Sequence, residues 1–149
     1  MLIKGVKVSP LVVGVKGTFK GENVLLFNNI LNDFGKKKIN LLFIVQVKNS
    51  EDLTSITLCL NSDDFEEAEP IIRNIYPDIT ISILPSLNIV SVFPFRNNPE
   101  VALLFLKVLE DNSIPVLAVN TSLSSISCLV HHKHCLLAQV SLTKTFGIK

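Results

Sequence analysis

The sequence predicts an α+β protein made of two similar modules, each running β-α-β-β-α. Three observations predict it. Residues 39–60 (INLLFIVQVKNSEDLTSITLCL) hold two apolar runs joined by a polar hinge, the pattern of a β-hairpin, and residues 114–130 (IPVLAVNTSLSSISCLV) are a shortened copy. In the helix-patterned stretches, LLF at 25–27 and LND at 31–33 align with LLF at 103–105 and LED at 109–111. In the hairpins, LTSIT at 53–57 aligns with LSSIS at 123–127. Agreement in the same order across several elements marks an internal repeat, and this element order is the split βαβ arrangement of ferredoxin-like folds.

Taken in order, residues 2–8 alternate Ile3, Val6 and Val8 with Lys4 and Lys7, a short strand stopped by Pro10. Residues 11–17 read as a second strand and 17–21 (GTFKG) as a loop. A helix follows, capped by Asn23 or Thr18, with Val24, Phe27, Ile30, Leu31 and Phe34 on one apolar stripe. Gly35 and the run Lys36, Lys37, Lys38 end it, where cations suit the negative pole of a helix. The first hairpin turns through residues 48–52. Ser62 and Asp63 can cap a second helix whose buried face is Ile71, Ile72 and Ile75. Pro70 should kink that helix or delay its start. Residues 78–84 alternate as a strand, and Pro85–Ser86 is the linker candidate. The pattern then repeats, with a strand at 87–95, a loop at 96–100, a helix at 101–111, the second hairpin, and a helix at 134–146. The first repeat has a closing strand and the second has none, while 2–8 is a spare strand. The economical inference is that 2–8 completes the second repeat, since an unfilled sheet edge invites aggregation. The predicted domains are therefore 10–85, inserted into a second module of 2–8 and 87–149.

Composition bounds the function. Of 149 residues 48% are hydrophobic, and mean hydropathy is +0.45, high for a short soluble chain and a hint of surface buried against another subunit. A net charge of +1 with mixed signs offers no nucleic-acid footprint. The longest apolar runs are too short to span a bilayer, and the first residues carry no secretory signal pattern. Three cysteines (Cys59, Cys128 and Cys135) suit a reducing compartment, so the expected location is cytoplasmic.

Two hairpins with IVQ at 44–46 ending a strand of the first, SED at 50–52, and NTSLSSISCLV at 120–130 resemble the paired ACT regulatory domains of aspartate kinase. The resemblance covers the whole chain and implies two ferredoxin-like (βαββαβ) ACT modules, the second completed by the N-terminal strand. It extends only to the regulatory part of that enzyme, because no phosphate-cradling glycine loop is present. It implies a small amino-acid effector, lysine or threonine, held at a module or dimer interface, and a homodimer. By position it implies effector contacts at Lys20, Gly21, Glu22, Asn23 and Gln46 in the first module and at Val116, Thr121 and Ser122 in the second. The N–H groups at a helix start suit the ligand's carboxylate. The family loop carries an aspartate, usually as Asp-Arg-Pro-Gly, where this chain reads Thr18-Phe19-Lys20-Gly21, and Pro115 replaces an asparagine.

Other chemistry is weaker. The run His131, His132, Lys133, His134, Cys135 has no second cluster to complete a metal site and reads as an exposed polar turn. Cys128 lies in an alternating strand as core, and Cys135 has no third partner for nucleophilic work. No cofactor is expected. Residues 101–109 (VALLFLKVL) are apolar nearly all round, which leaves Leu103 and Leu106 for burial against a module or subunit. Two readings result. One is a non-catalytic, amino-acid-binding regulatory protein, and the other is a ligand-free dimerisation or docking module of a partner enzyme.

Overall fold

The computed structural model describes residues 2–20, 24–50, 52–74 and 79–148, with the backbone alone at 24–27. The described elements are β1 (Gly5–Val8), β2 (Val12–Lys20), α1 (Val24–Lys36), β3 (Phe43–Lys48), β4 (Leu53–Asn61), α2 (Phe65–Arg73), β5 (Thr80–Phe93), α3 (Pro99–Asp111), β6 (Ala118–Thr121), β7 (Ile126–His131) and α4 (Cys135–Thr145). Single 3-10 turns, Ser62–Asp64 and His132–His134, lead into α2 and α4. The chain divides into two compact units. A central unit holds Val12–Pro85, and a split unit holds Met1–Leu11 with Ser86–Lys149.

In the central unit β4 pairs with β3 on one side and β2 on the other, both antiparallel, and β2 has β5 as its other neighbour. Val15 and Phe19 of β2 and Ile56, Leu58 and Leu60 of β4 point to one face. There they pack with Ile30 and Phe34 of α1 and Ala68 and Ile72 of α2. In the split unit the order is β1-β5-β7-β6, again antiparallel. Val90 and Val92 of β5 and Ile126, Cys128 and Val130 of β7 face Phe105 and Leu109 of α3 and Ala138 and Leu142 of α4.

Three helices end in the same way. After α1, Lys38 takes a left-handed conformation (φ 58°), donates to the carbonyl of Gly35, and is followed by Ile39 donating to Phe34. After α3, Ser113 (φ 55°) donates to Glu110 and Ile114 to Leu109. After α4, Gly147 (φ 64°) donates to Lys144 and Ile148 to Thr143. This is the Schellman motif, with its apolar residue just beyond the left-handed position. Ile39 and Ile114 are buried, and Ile148 packs against the core. Both hairpins therefore begin later than the apolar pattern suggests, because the two isoleucines that open those runs anchor helix ends. Gly35 stays helical, and the lysine run rather than the glycine makes the turn.

A second device also recurs. Asn61 and His131 end β4 and β7, and each uses its side chain to accept from the backbone N–H two residues on, Asp63 and Lys133. These acceptors satisfy N–H groups that a helix start leaves orphaned.

Other boundaries also differ from expectation. Residues 17–20 are strand rather than loop, because Thr18 and Phe19 are good strand formers and the Phe19 ring is buried in the core. Thr18 is thus no helix cap, and Asn23 lies outside the described residues. Pro85–Ser86 does not interrupt the strand. β5 runs continuously through it, with Ser86 at φ 61° marking the irregularity where the two units divide. α2 tolerates Pro70 in its interior and keeps Ala68 and Ile72 buried, with Ile71 half-buried and Ile75 outside the described residues. α3 starts at Pro99, since the Asn98 side chain accepts from Glu100 N–H at 2.9 Å and proline suits the first helical position.

A non-glycine residue held in the left-handed region costs about 1 kcal/mol against glycine. Ser113→Gly should therefore raise stability by roughly 0.5–1 kcal/mol, read as a higher urea midpoint at unchanged m. Gly147→Ala should lower it by a similar amount.

Candidate functional site

The residues singled out for effector binding fall in both units. In the central unit, Lys20 closes β2 opposite Leu53, and Gln46 sits on β3 opposite Ile56. Directly paired residues share a face and neighbours along a strand alternate. Phe19 points into the helix-covered core, so Lys20 points away from it. Ile56 is in that core, so Gln46 is on the helix-covered side. The two side chains thus leave opposite faces, and both are exposed. Gly21, Glu22 and Asn23 lie outside the described residues. Among the described residues β3 pairs with β4 alone, and Leu42, Ile44 and Val47 are exposed along it. It is an apolar edge, unlike the charged or blunted edges of most soluble sheets.

In the split unit, Val116 is half-buried against the core, while Thr121 ends β6 opposite Ile126. Ser122 follows in the turn, exposed. Its hydroxyl accepts from the N–H groups of Ser124 (3.3 Å) and Ser125 (3.2 Å), and Ser122 N–H donates to Ser125 O at 2.9 Å. Thr121 and Ser122 are therefore held together on one hairpin turn, and Val116 lies beyond the other end of the same strand.

The histidine-rich corner has structural partners. His131 Nδ1 accepts from Lys133 N–H at 3.1 Å. His132 Nδ1 lies 2.7 Å from Asn88 Oδ1. Asn88, itself buried, donates through Nδ2 to Ser9 O, and Ser9 Oγ accepts from Ile89 N–H. This network fastens the segment after β1 to β5 and to the corner before α4. Among the described residues no three His, Cys, Asp or Glu side chains gather as a metal would need. The three cysteines are free and buried. Burial pushes the Cys59 and Cys128 thiols up to about 12 from 9.0, and raises Cys135 as well. Such thiols are poor nucleophiles, since the thiolate is the reactive form.

No family model matches the chain, and no curated protein matches it. Solved structures do. The ligand-free regulatory subunit of aspartate kinase from Thermus thermophilus superposes with a TM-score of 0.87 at 14% identity, covering 98% of this chain and 99% of that one. The chain has the fold of an aspartate kinase regulatory subunit. A structure of aspartokinase alpha and beta subunits matches with a TM-score of 0.84 at 18% identity, covering 98% and 99%. E. coli aspartokinase III in complex with lysine and aspartate matches with a TM-score of 0.70 at 15% identity, and there the chain spans 33% of the longer protein. The likeness thus runs end to end with the separate regulatory subunit. No helix among the described residues is long and apolar enough to cross a membrane.

What sequence reasoning missed here is the face each residue occupies. Part of the signal was available, since once Phe19 is read as strand rather than loop, alternation puts Lys20 on the face away from the core; that Gln46 lies on the core side follows only from the pairing of β3 with β4.

The cysteine shifts give a pH prediction. A thiol whose folded value exceeds its unfolded one contributes stability in full below pH 9 and loses it as pH climbs from about 9 towards 12. The urea midpoint of the wild type should fall between pH 8 and 10.5, and fall less steeply in the double variant Cys59→Ala, Cys128→Ala. Equal slopes would contradict the assignment.

Proposed function

We propose that this chain is a non-catalytic, cytoplasmic regulatory protein of the aspartate kinase type, built from two ACT-like modules, that binds a small amino-acid effector and works as a homodimer. The observation that carries the reading is the match to the separate regulatory subunit, a TM-score of 0.87 over 98% of this chain. On this reading the central unit is the first module, inserted in the second, and β1 supplies the second module's outer strand.

The effector would lie at the start of α1, with its carboxylate on the N–H groups of Gly21, Glu22 and Asn23 and its ammonium toward Gln46. Gln46 shares the helix-covered face with α1, which favours it over Lys20 as a contact. Lys20, pointing the other way and carrying the ammonium's own sign, would act by charge on the approach of the ligand rather than by touch. Val116, Thr121 and Ser122 would supply the facing surface from a second module or a second chain. Lysine is the first candidate, because E. coli aspartokinase III is seen in complex with lysine; threonine is the second. Two features support dimerisation, the exposed apolar edge at Leu42, Ile44 and Val47, and Leu103, which is 65% exposed on α3. The same surfaces favour the alternative, a docking module for a partner enzyme that binds no ligand.

A thermal-shift panel of the twenty amino acids separates the two. A ligand at a hundred times its Kd adds about 2.7 kcal/mol, a shift of several degrees for a chain of this size. Lysine or threonine should give that shift. Gln46→Ala should abolish it while leaving the ligand-free melting point within about 1 °C, since the side chain is exposed. A flat panel from a folded, dimeric protein would favour the docking module. Light scattering after size exclusion should report a dimer, and a monomer at high concentration contradicts it.

A further inference from the structure

On the side of the split unit that α3 and α4 leave open, β1, β5 and two loops enclose a cavity of about 460 Å³. It is lined by Lys4, Lys7, Arg96, Ser91, Ser124 and Ser125, with Phe93 and Pro94. The strand register explains the grouping. Val6 and Val8 pack against the helical core, so Lys7 projects from the opposite face, where it pairs with Ser91. Gly5 pairs with Phe93, and a side-chain carbon at Gly5 would sit 2.5 Å from the Phe93 ring. The missing side chain therefore lets that ring lie across β1 as a cavity wall. Arg96 is brought in by a loop in which it and Asn97 are both left-handed (φ 52° and 55°). Phe95 N–H donates to Ser124 O, and Arg96 N–H to Leu123 O. Those two bonds join the arginine loop to the serine turn.

Among the described residues three cations line the cavity and no acid does. Among the described residues none of the three has an ion-pair partner, the pairs being Lys37 with Glu67 and Arg73 with Glu69. The split unit as a whole carries seven Lys and Arg against three Asp and Glu, whereas the central unit carries seven against ten. A near-neutral chain thus concentrates positive charge in one unit, and within it at one concave site. Like charges this close repel unless an anion joins them.

We propose that this cavity binds a small phosphate ester carrying a flat ring, a nucleoside monophosphate in its simplest form. The guanidinium of Arg96 offers a planar fork for two phosphate oxygens, and Lys4 and Lys7 add point charges. The hydroxyls of Ser124 and Ser125 supply further donors. The exposed face of Phe93 takes the base by stacking. The volume falls in the range of small-molecule sites. The site uses none of the eight residues assigned to the amino-acid effector, so each proposal can fail alone.

Titration calorimetry with AMP, adenosine and inorganic phosphate tests it on the full chain. AMP should bind at least tenfold more tightly than either fragment, and its affinity should fall as salt rises. The double variant Lys4→Gln, Arg96→Gln should weaken AMP at least tenfold. Phe93→Leu should weaken AMP but not phosphate. Circular dichroism and the thermal response to amino acids, both unchanged in the variants, would show that the fold and the effector site are intact. The proposal is overturned if AMP gives no heat, if phosphate binds as tightly as AMP (a bare-anion site only), if adenosine does so (the charges then being idle), or if the variants keep wild-type affinity.

Discussion

The pairing of β1 with β5 is the constraint on which the split unit depends. Gly5 lies against Phe93 and Val8 against Val90, so the first residues close a sheet whose other strands come from the second half of the chain. Without β1, the edge of β5 would present unpaired backbone groups over an apolar strand. The Ser9–Asn88–His132 network secures the same junction where the strand ends. Contacts this far apart in sequence close late, because the loop entropy must be met before they form. The split unit should therefore gain its full set of strands only after the central unit has had time to fold.

The same pairing creates chemistry. Alternation along β1 sends Val6 and Val8 inward and Lys7 outward, and the register sets Lys7 beside Ser91. In the linear sequence Lys4 and Lys7 read as the polar half of an amphipathic strand, and Arg96 as a loop residue. Only the register makes them neighbours. Local pattern fixes periodicity, but which distant segment shares a face is a property of pairing, and one residue of slip would invert it. This is why the helices and the hairpins were legible in the sequence while the cationic cavity was not.

The boundaries that sequence reading misplaced have a shared cause. Ile39 and Ile114 looked like the first residues of strands because apolar runs continue through them. Their burial serves the helix before, through a left-handed residue that is lysine in one unit and serine in the other. Glycine is the usual mark of that turn, and only Gly147 carries it. Hydrogen bonds to Phe34 and Leu109 and burial of the isoleucines outweigh a strain of about 1 kcal/mol at each site. The loop at 17–21 failed for the complementary reason. Two glycines suggested a turn, but a buried Phe19 is worth roughly 2 kcal/mol of apolar burial and keeps the strand running to Lys20.

That extension of β2 bears on how an effector could be held. A loop reaching back to residue 17 would have let Lys20 swing toward α1, and its backbone could then have joined Gly21 in receiving a carboxylate. As strand, Lys20 has its backbone engaged opposite Leu53 and its side chain on the far face from Gln46. On the proposed reading the donors left for a carboxylate would be the N–H groups at the start of α1, with the amide of Gln46 as a polar group on the helix-covered face. An amide satisfies an ammonium with a single neutral acceptor, weaker than the charge-assisted contact an aspartate would make. A site so built would discriminate more by the shape of the ligand's side chain than by its α-ammonium. The residues deciding its specificity would then be those that close it from the opposite side.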